Sequence, residues 1–374
     1  MSLAGLRVGV VFGSRSPEHE ISIITACQVM PVLRELGAAV LPLYLTKDGR
    51  LLTDPAFAEL ATFRRELPRE GTEVAVELGR GRLRTSGAGM LGRSREVPLD
   101  LLFPLVHGSH GEDGTLAALA DLLRLPQVGS GTMGASLAMD KYRSKQLLSA
   151  LGIPVVPGRL VVAPEGAAGA ELPLVVKPNR SGSSIGVSLV EEGAGLAPAV
   201  ELALQFDSEV VVEPAVPGAE DLNCAVKRLG ERASEVERPR KQRGLLSYQD
   251  KYVGGAKGGA KGGANGKADP RRELPAAISA ELRSRVRELA VQAFDALDLG
   301  GTARVDFLLS DRGELYVNEV NTIPGSLAFY LWEASGVGFA ALLEELVTEA
   351  MELGPGRDPS LPGNLLAAGE LLGK

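Results

Sequence analysis

The sequence predicts an α/β protein, and three observations carry that expectation. The apolar run at residues 6–12 breaks at Gly13-Ser14-Arg15-Ser16-Pro17 and opens into Glu18-His19-Glu20-Ile21-Ser22, a strand, a glycine turn and a helix start in succession. Later apolar runs at 40–45, 99–106, 174–176 and 210–212 are continuous rather than alternating, as in strands buried on both faces. A hydrophobic content of 45% over 374 residues suffices for two or three domains, each with its own core.

Charge and composition exclude several classes. A net charge of −7 argues against a dedicated nucleic-acid binder. No apolar run approaches membrane-spanning length, and residues 3–12 read as a first strand without the charged start and cleavage site of a secretion signal, so the expected compartment is the cytoplasm. Cys27 and Cys224 make neither a zinc pattern nor a disulfide framework; they read as small core residues, with a reactive thiol at Cys27 as the alternative. Three histidines, His19, His107 and His110, are too few for a histidine-rich metal site.

In chain order, the Gly- and Arg-rich stretch 71–96 reads as an exposed hairpin or loop insertion. Residues 106–115, from Val106 to Thr115, follow a strand and precede the helical spacing Leu116, Leu119, Leu122, Leu123, which places this loop where open α/β sheets bind ligands. His107 in it is suited to orienting a carboxylate, and His110 reads as an exposed loop residue. Asp140-Lys141-Tyr142-Arg143-Ser144-Lys145 begins a helix that ends at Gly152, its lysines being either functional or plain surface charges. Lys177 closes the next strand beside the Gly/Ser-rich stretch 179–187, offering a point charge and backbone N–H donors to a polyphosphate. The stretch is neither a Walker A loop nor a dinucleotide fingerprint. Glu213 and Glu220 follow the run at 210–212; carboxylates there accept from a base amine and ribose hydroxyls, or are ordinary surface acids. From Ser247 the chain runs into a Gly-Ala-Lys repeat ending at Lys267, either an inert insertion or a lid that orders when phosphates neutralise its lysines. Residues 279–297 and 339–351 are helical by period, and 355–374 is a loosely held tail.

The stretch from Arg304 to Gly325 carries the chemistry. Two alternating β-rich runs flank Arg312-Gly313, a hairpin signal. With those two residues as the loop, Ser310 faces Leu315, Asp306 faces Glu319 and Arg304 faces Asn321. Arg304, Asp306, Glu319 and Asn321 then share one face, with Val305, Phe307 and Leu309 on the other. Facing acids repel, so the pairing asks for a cation such as Mg²⁺ between them, or else is a solvated face in which Arg304 neutralises one acid.

Taken together, Ser16-Pro17-Glu18-His19-Glu20-Ile21-Ser22, His107 with Gly111-Glu112-Asp113-Gly114-Thr115, Met139-Asp140-Lys141, Val176-Lys177-Pro178 with Gly182-Ser183-Ser184-Ile185-Gly186, Asp250-Lys251-Tyr252, Arg304-Val305-Asp306 and Asn318-Glu319-Val320-Asn321-Thr322-Ile323-Pro324-Gly325 resemble the D-alanine–D-alanine ligase family. The resemblance spans nearly the whole chain. It implies a three-domain ATP-grasp fold: an N-terminal Rossmann-like domain at 1–127, a central subdomain at 128–213, and a C-terminal subdomain at 214–374 carrying a lid at about 245–270. It implies ATP and two Mg²⁺ ions, with Mn²⁺ as an alternative, the metals held by Asp306, Glu319 and Asn321. Lys141, Lys177 and Lys251 would contact phosphates, and Glu213, Val216 and Glu220 would surround adenine and ribose. Glu18 would hold the ammonium of the first D-alanine, with Ser183 and Tyr252 positioning it and His107 near its carboxylate. Arg304 and the Gly325 N–H would form the oxyanion site, and Ser326 with Leu327 would meet the second substrate. A homodimer is implied as well.

Three departures stand out, one of them the unusual Gly-Ala-Lys repeat of the lid. The family's usual Gly-Gly after the first strand is Gly13-Ser14, which requires Ser14 to adopt the turn, and the chain after Gly325 is shorter than the common form. Tyr252 favours an amine acceptor; a ligase using D-lactate, D-serine or another amino acid, and a non-catalytic nucleotide-binding relative, are the alternatives.

Overall fold

The computed structural model describes residues 2–78, 82–85, 94–240 and 272–356. Lys251, Tyr252, the Gly-Ala-Lys repeat and the tail after 356 lie outside the described residues.

Among the described residues the strands form three sheets. The first is built on β1 (Arg7–Gly13), which pairs in parallel with β2 (Ala39–Leu45) on one side and with β7 (Leu101–Pro104) on the other. Its alternation serves two cores. Val8, Val10 and Phe12 pack on Ile23, Ala26, Val29, Met30 and Leu33 of α1 (His19–Glu35), whereas Val11 packs with Leu43 and Leu102 under Leu116, Ala120 and Leu123 of α2 (Thr115–Leu123). A parallel sheet covered on both faces explains why these strands read as unbroken apolar runs. β3 (Leu51–Thr53) extends the same sheet, and beyond it the expected hairpin insertion adds β4 (Thr72–Glu77), β5 (Arg82–Thr85) and β6 (Arg95–Pro98) as antiparallel, largely exposed strands.

Ser14 takes the turn the family gives to glycine. Its φ is 81°, and its carbonyl accepts from Nδ1 of the buried His19 at 2.5 Å while Tyr44 bonds Nε2 at 3.1 Å. Cys224 is buried and Cys27 half-buried, and burial pushes both thiols up to about 12, which favours the reading of both as core residues.

After α3 (Thr132–Met139) and α4 (Lys141–Ala150), whose N-cap Asp140 accepts from the Arg143 N–H, the second sheet contains β8 (Arg159–Val161), β9 (Leu174–Pro178), β10 (Ser188–Val190) and β11 (Val210–Pro214). Leu174, Val176, Val210 and Val212 pack on Ala199, Val200 and Ala203 of α5 (Leu196–Leu204).

The third sheet is antiparallel: β12 (Glu220–Lys227), β13 (Ala233–Pro239), β14 (Arg272–Glu273), β15 (Thr302–Leu309) and β16 (Leu315–Asn321). One face buries Leu222, Cys224, Val305, Phe307 and Val317 against Val286, Leu289, Ala293 and Phe294 of α6 (Ala280–Ala296). The chain then returns to the first sheet. Leu331 and Trp332 of α7 (Phe329–Ala334) and Leu342, Leu343, Leu346 and Val347 of α8 (Phe339–Leu353) join the core of β1 and α1. No single helix among the described residues is long and apolar enough to cross a membrane.

The hairpin register needs one correction. Arg304 faces Asn321 and Asp306 faces Glu319 as expected, but Leu309, not Ser310, faces Leu315. The turn is longer than Arg312-Gly313, because Ser310 N–H bonds the Glu314 carbonyl, and the register shifts by one residue between Asp306 and Phe307. Asn318 is the extra residue of a β-bulge, which returns Glu319 and Asn321 to the polar face.

Candidate active site

The polar face of the third sheet holds a row of side chains in register: Glu237 of β13, Asn223 of β12, Asp306 of β15 and Glu319 of β16. Alternation places Arg304 and Asn321 one step along on the same face. Arg304 Nε and Nη2 donate to the two Asp306 oxygens at 2.6 and 2.7 Å, and Asn321 Nδ2 donates to Asp306 Oδ2 at 3.0 Å. Lys141 Nζ stands 3.4 Å from Glu319 and donates to the Ser181 carbonyl at 2.6 Å. Burial alone would pull the Arg304 guanidinium down, but the Asp306 charge and its bonds more than offset this and hold it above its ordinary value.

Like charges facing each other across a ladder are unfavourable, and here two cations from different elements converge on them. Among the described residues no three His, Cys, Asp or Glu side chains make an all-protein metal cage. Two carboxylates and an amide oxygen fit Mg²⁺, which completes its shell with phosphate and water.

Beside this face, Glu213 of β11 lies between two lysines. Lys145 Nζ donates to Oε2 at 2.6 Å, Lys177 donates to Oε1, and Lys177 also reaches Asn318 Oδ1 at 3.1 Å. The bulge thus aims Asn318 at the second sheet. All three charged groups are buried; burial pulls Lys145 down to about 8 despite the attraction of Glu213, while the two lysines outweigh burial and hold Glu213 below the usual carboxylate range. Two ammoniums on one carboxylate leave the cluster short of negative charge, as an anion site requires. The surface reading of Lys141 and Lys145 is overturned: they are 8% and 3% exposed. The signal for Lys145 was its i, i+4 spacing from Lys141 on one helix face. Val216 is half-buried in the turn after β11, and Glu220 is exposed at the start of β12 with Arg238 at 3.2 Å.

The third group of residues lies where the first sheet meets the others. Ser183, at φ 53° in the β9–β10 connection, donates its hydroxyl to Glu18 Oε1 at the start of α1. The glycines leave that carboxylate room: a Cβ on Gly108 or Gly182 would stand 2.7 or 2.9 Å from Glu18 Oε2 and displace it. Glu112, which sequence reasoning left without a role, accepts from Gly108 N–H at 2.9 Å and from Ile323 N–H at 3.0 Å. Burial, then the nearby Glu18 charge, raises its carboxyl to about 8. Glu112, Lys141, Gly182, Glu319 and Asn321 line one cleft.

His107 is buried rather than free in a loop. Its Nε2 lies 3.0 Å from Thr25 Oγ1, the ring also hydrogen-bonds the Ile323 backbone, and burial with the Arg304 charge lowers it to about 4, so it is neutral at physiological pH. Thr25 Oγ1 in turn accepts from Ser326 N–H at 3.1 Å. Ser326, Leu327 and Ala328 are left-handed at φ 51°, 55° and 51°. Three consecutive non-glycine residues there cost roughly 1–2 kcal/mol each. Burying Leu327 and the following Leu331 and Trp332 offsets that, at about 1.5–3 kcal/mol or more per large side chain. Leu327 therefore serves the core with its side chain, while Ser326 stays partly exposed in the turn. Gly325 has free space where a Cβ would go, so packing does not demand glycine there.

The structure thus places Lys141, Glu319 and Asn321 on one cleft and ties Arg304, Asp306, Lys177, Glu213, Glu18 and Ser183 to residues that line or adjoin it. The comparisons with known proteins place nearly the whole chain in one family. Residues 7–130 match the D-ala D-ala ligase N-terminus model and residues 147–348 the D-ala D-ala ligase C-terminus model. The D-alanine--D-alanine ligase of Thermosipho africanus is 34% identical over 93% of this chain and 94% of its own, and that of Mycolicibacterium vanbaalenii is 36% identical over 94% and 99%. Among solved structures, the D-alanine-D-alanine ligase of Coxiella burnetii superposes with a TM-score of 0.77 at 26% identity, covering 93% of this chain and 94% of that one. The VanG D-Ala:D-Ser ligase of Enterococcus faecalis gives 0.76 at 30% identity over 92% and 99%. The fold is the ATP-grasp fold of these relatives, and the chain belongs to the D-alanine–D-alanine ligase family.

Proposed function

We propose that the chain joins two D-alanines at the expense of ATP, and that the residues gathered about the cleft divide the work as follows. The observation that carries this is the facing pair Asp306 and Glu319, flanked by Arg304 and Lys141 and opposite the Lys145–Glu213–Lys177 cluster. Lys177 and Lys141 hold the phosphates of ATP, and the Lys145–Glu213 pair fixes Lys177 in place. Val216, Glu220 and Glu213 border the base and ribose. Asp306, Glu319 and Asn321 hold Mg²⁺, which when bound screens the γ-phosphate charge against an approaching carboxylate.

Glu18, oriented by Ser183, pairs with the ammonium of the first D-alanine. The D-alanine carboxylate oxygen then attacks the γ-phosphorus, the bond to ADP breaks, and an acyl phosphate forms. The deprotonated amine of the second D-alanine attacks the acyl carbon. Arg304 and the Gly325 N–H stabilise the oxyanion, and phosphate leaves as the peptide bond is made. His107, neutral and held between Thr25 and Ile323, acts on the substrate side through dipole and shape rather than as a cation. Lys251 and Tyr252 belong to the same proposal as members of a closing lid. A two-fold dimer in the cytoplasm is the expected state by family likeness.

The test is phosphate release from Mg-ATP with D-alanine, offering D-serine and D-lactate as competing acceptors and identifying products by mass. D-alanyl-D-alanine as the main product supports the reading. Turnover only with another acceptor removes the substrate assignment and leaves the first half-reaction.

A further inference from the structure

We propose that Thr25 is a positioning residue for the acceptor subsite: its hydroxyl ties His107 to the Ser326 N–H and so fixes the left-handed turn at residues 326–328 against α1. The proposal rests on the ligase reading above, in which Ser326 stands at the second substrate, and adds to it a residue in a different element.

The geometry constrains the proton arrangement. Burial lowers His107 to about 4 and the Ile323 backbone opposes this, as an N–H on the ring nitrogen away from Thr25 would do. The nitrogen facing Thr25, at 3.0 Å, is then an acceptor, and the Thr25 hydroxyl proton points to it. This leaves a Thr25 lone pair for the Ser326 N–H at 3.1 Å. A threonine within a helix commonly turns its hydroxyl back to its own preceding turn. Thr25 is fully buried in α1 and gives its hydroxyl instead to two segments, one of them 301 residues distant.

The consequence concerns the turn. Leu327 N–H is satisfied locally by the Pro324 carbonyl, but Ser326 N–H has Thr25 as its partner across the interface between α1 and the last strand's exit. Without that acceptor a strained left-handed backbone loses a directional tie, and His107 loses the donor on its second nitrogen. Ser326 then shifts relative to Arg304 and Gly325, the groups that must meet the acceptor. The nucleotide cluster of Lys145, Lys177 and Glu213 belongs to α4 and the second sheet and does not feel the change.

The full chain carrying Thr25→Val, which keeps shape and removes the hydroxyl, is compared with Thr25→Ser, which keeps the hydroxyl. Thr25→Ala is measured beside them as a second hydroxyl-free variant. Initial rates are resolved into Michaelis constants for ATP and for the first and second D-alanine, and phosphate is counted against dipeptide. Removing one buried partner should raise the second D-alanine constant about tenfold and release more than one phosphate per dipeptide. The ATP constant should stay within about twofold, and Thr25→Ser should restore both readouts. An unchanged second D-alanine constant in the hydroxyl-free variants overturns the proposal, as does a uniform change of all constants that Thr25→Ser shares. The same assay reads the unmodified chain, so absence of dipeptide there marks failure of the ligase reading, whereas normal dipeptide kinetics in Thr25→Val marks failure of the role given to Thr25.

Discussion

On one face of the β15–β16 hairpin, Val305, Phe307 and Val317 are buried against α6; on the other, Arg304, Asp306, Glu319 and Asn321 crowd two facing acids and their counter-charges into the cleft. The same two strands build both faces, separated only by the alternation of the chain and by one bulge at Asn318. The apolar face lowers the free energy of folding. The polar face sets like charges side by side, a local violation of good sheet pairing that persists where chemistry uses it. Substitutions in this hairpin should therefore sort by face: one side should change stability, the other turnover.

The largest effect is expected from Glu319→Ala. Losing an oxygen that would hold the cation should lower kcat by about 10³-fold, the scale of a lost electrostatic group in a preorganised site. Stability should move by no more than about 0.5 kcal/mol, because the change also relieves the repulsion with Asp306. Steady-state rates at saturating Mg-ATP, together with a urea unfolding curve, measure both quantities. Near-normal turnover would remove Glu319 from the metal set.

Phe307→Ala probes the opposite face of the adjoining strand. Phe307 is completely buried, and truncating such a ring costs about 3–5 kcal/mol. Against the 5–15 kcal/mol typical of a whole domain, that is a large loss, visible as a lower urea midpoint. At low temperature the remaining folded enzyme should keep kcat within a fewfold of the parent. If instead kcat collapses while the midpoint stays put, the two faces are not separable and the comparison breaks.

The alternation itself was legible in the residues. Counting back from a two-residue turn pairs Asp306 with Glu319, and the structure reaches the same pairing by another route, a longer turn whose one-residue offset the bulge at Asn318 removes. The sequence pattern had no way to reveal the bulge, since Asn318 reads as one more polar position. Apolar runs disclosed β1, β2, β7, β9 and β11 for a plain reason: burial on both faces leaves no alternation to misread, whereas the short or exposed strands beside them carry no such run. Partnership across segments was harder to see. Lys145 looks like surface charge until Glu213 is placed beside it, and Thr25 looks like one more helix position until Ser326 arrives from the other end of the chain. The left-handed turn at Ser326, Leu327 and Ala328 carries no glycine to announce it, because burial of the following apolar residues, not local preference, holds it.

The smallest expected effect sharpens the comparison by moving to carboxylates that lack a facing cation. Glu112 lies near Glu18, accepts two backbone N–H bonds, and sits at about 8 through burial and then the Glu18 charge, with Lys141 only partly countering them. Its folded value is raised above the ordinary carboxylate value of 4.5, so its contribution to stability is fully present below about 4.5 and is lost as pH rises through about 8. Over pH 5.5 to 8.5 the parent should lose on the order of 3 kcal/mol from this group. Glu112→Gln cannot titrate, and its amide nitrogen cannot accept one of the two N–H bonds, so it should be less stable than the parent at pH 5.5 by about 1–3 kcal/mol. The parent's advantage should then shrink toward pH 8.5. Urea unfolding at a series of pH values gives the difference directly. Two curves that run parallel across the range would mean that Glu112 does not take up a proton on folding, and that its two backbone bonds outweigh both burial and the neighbouring charge.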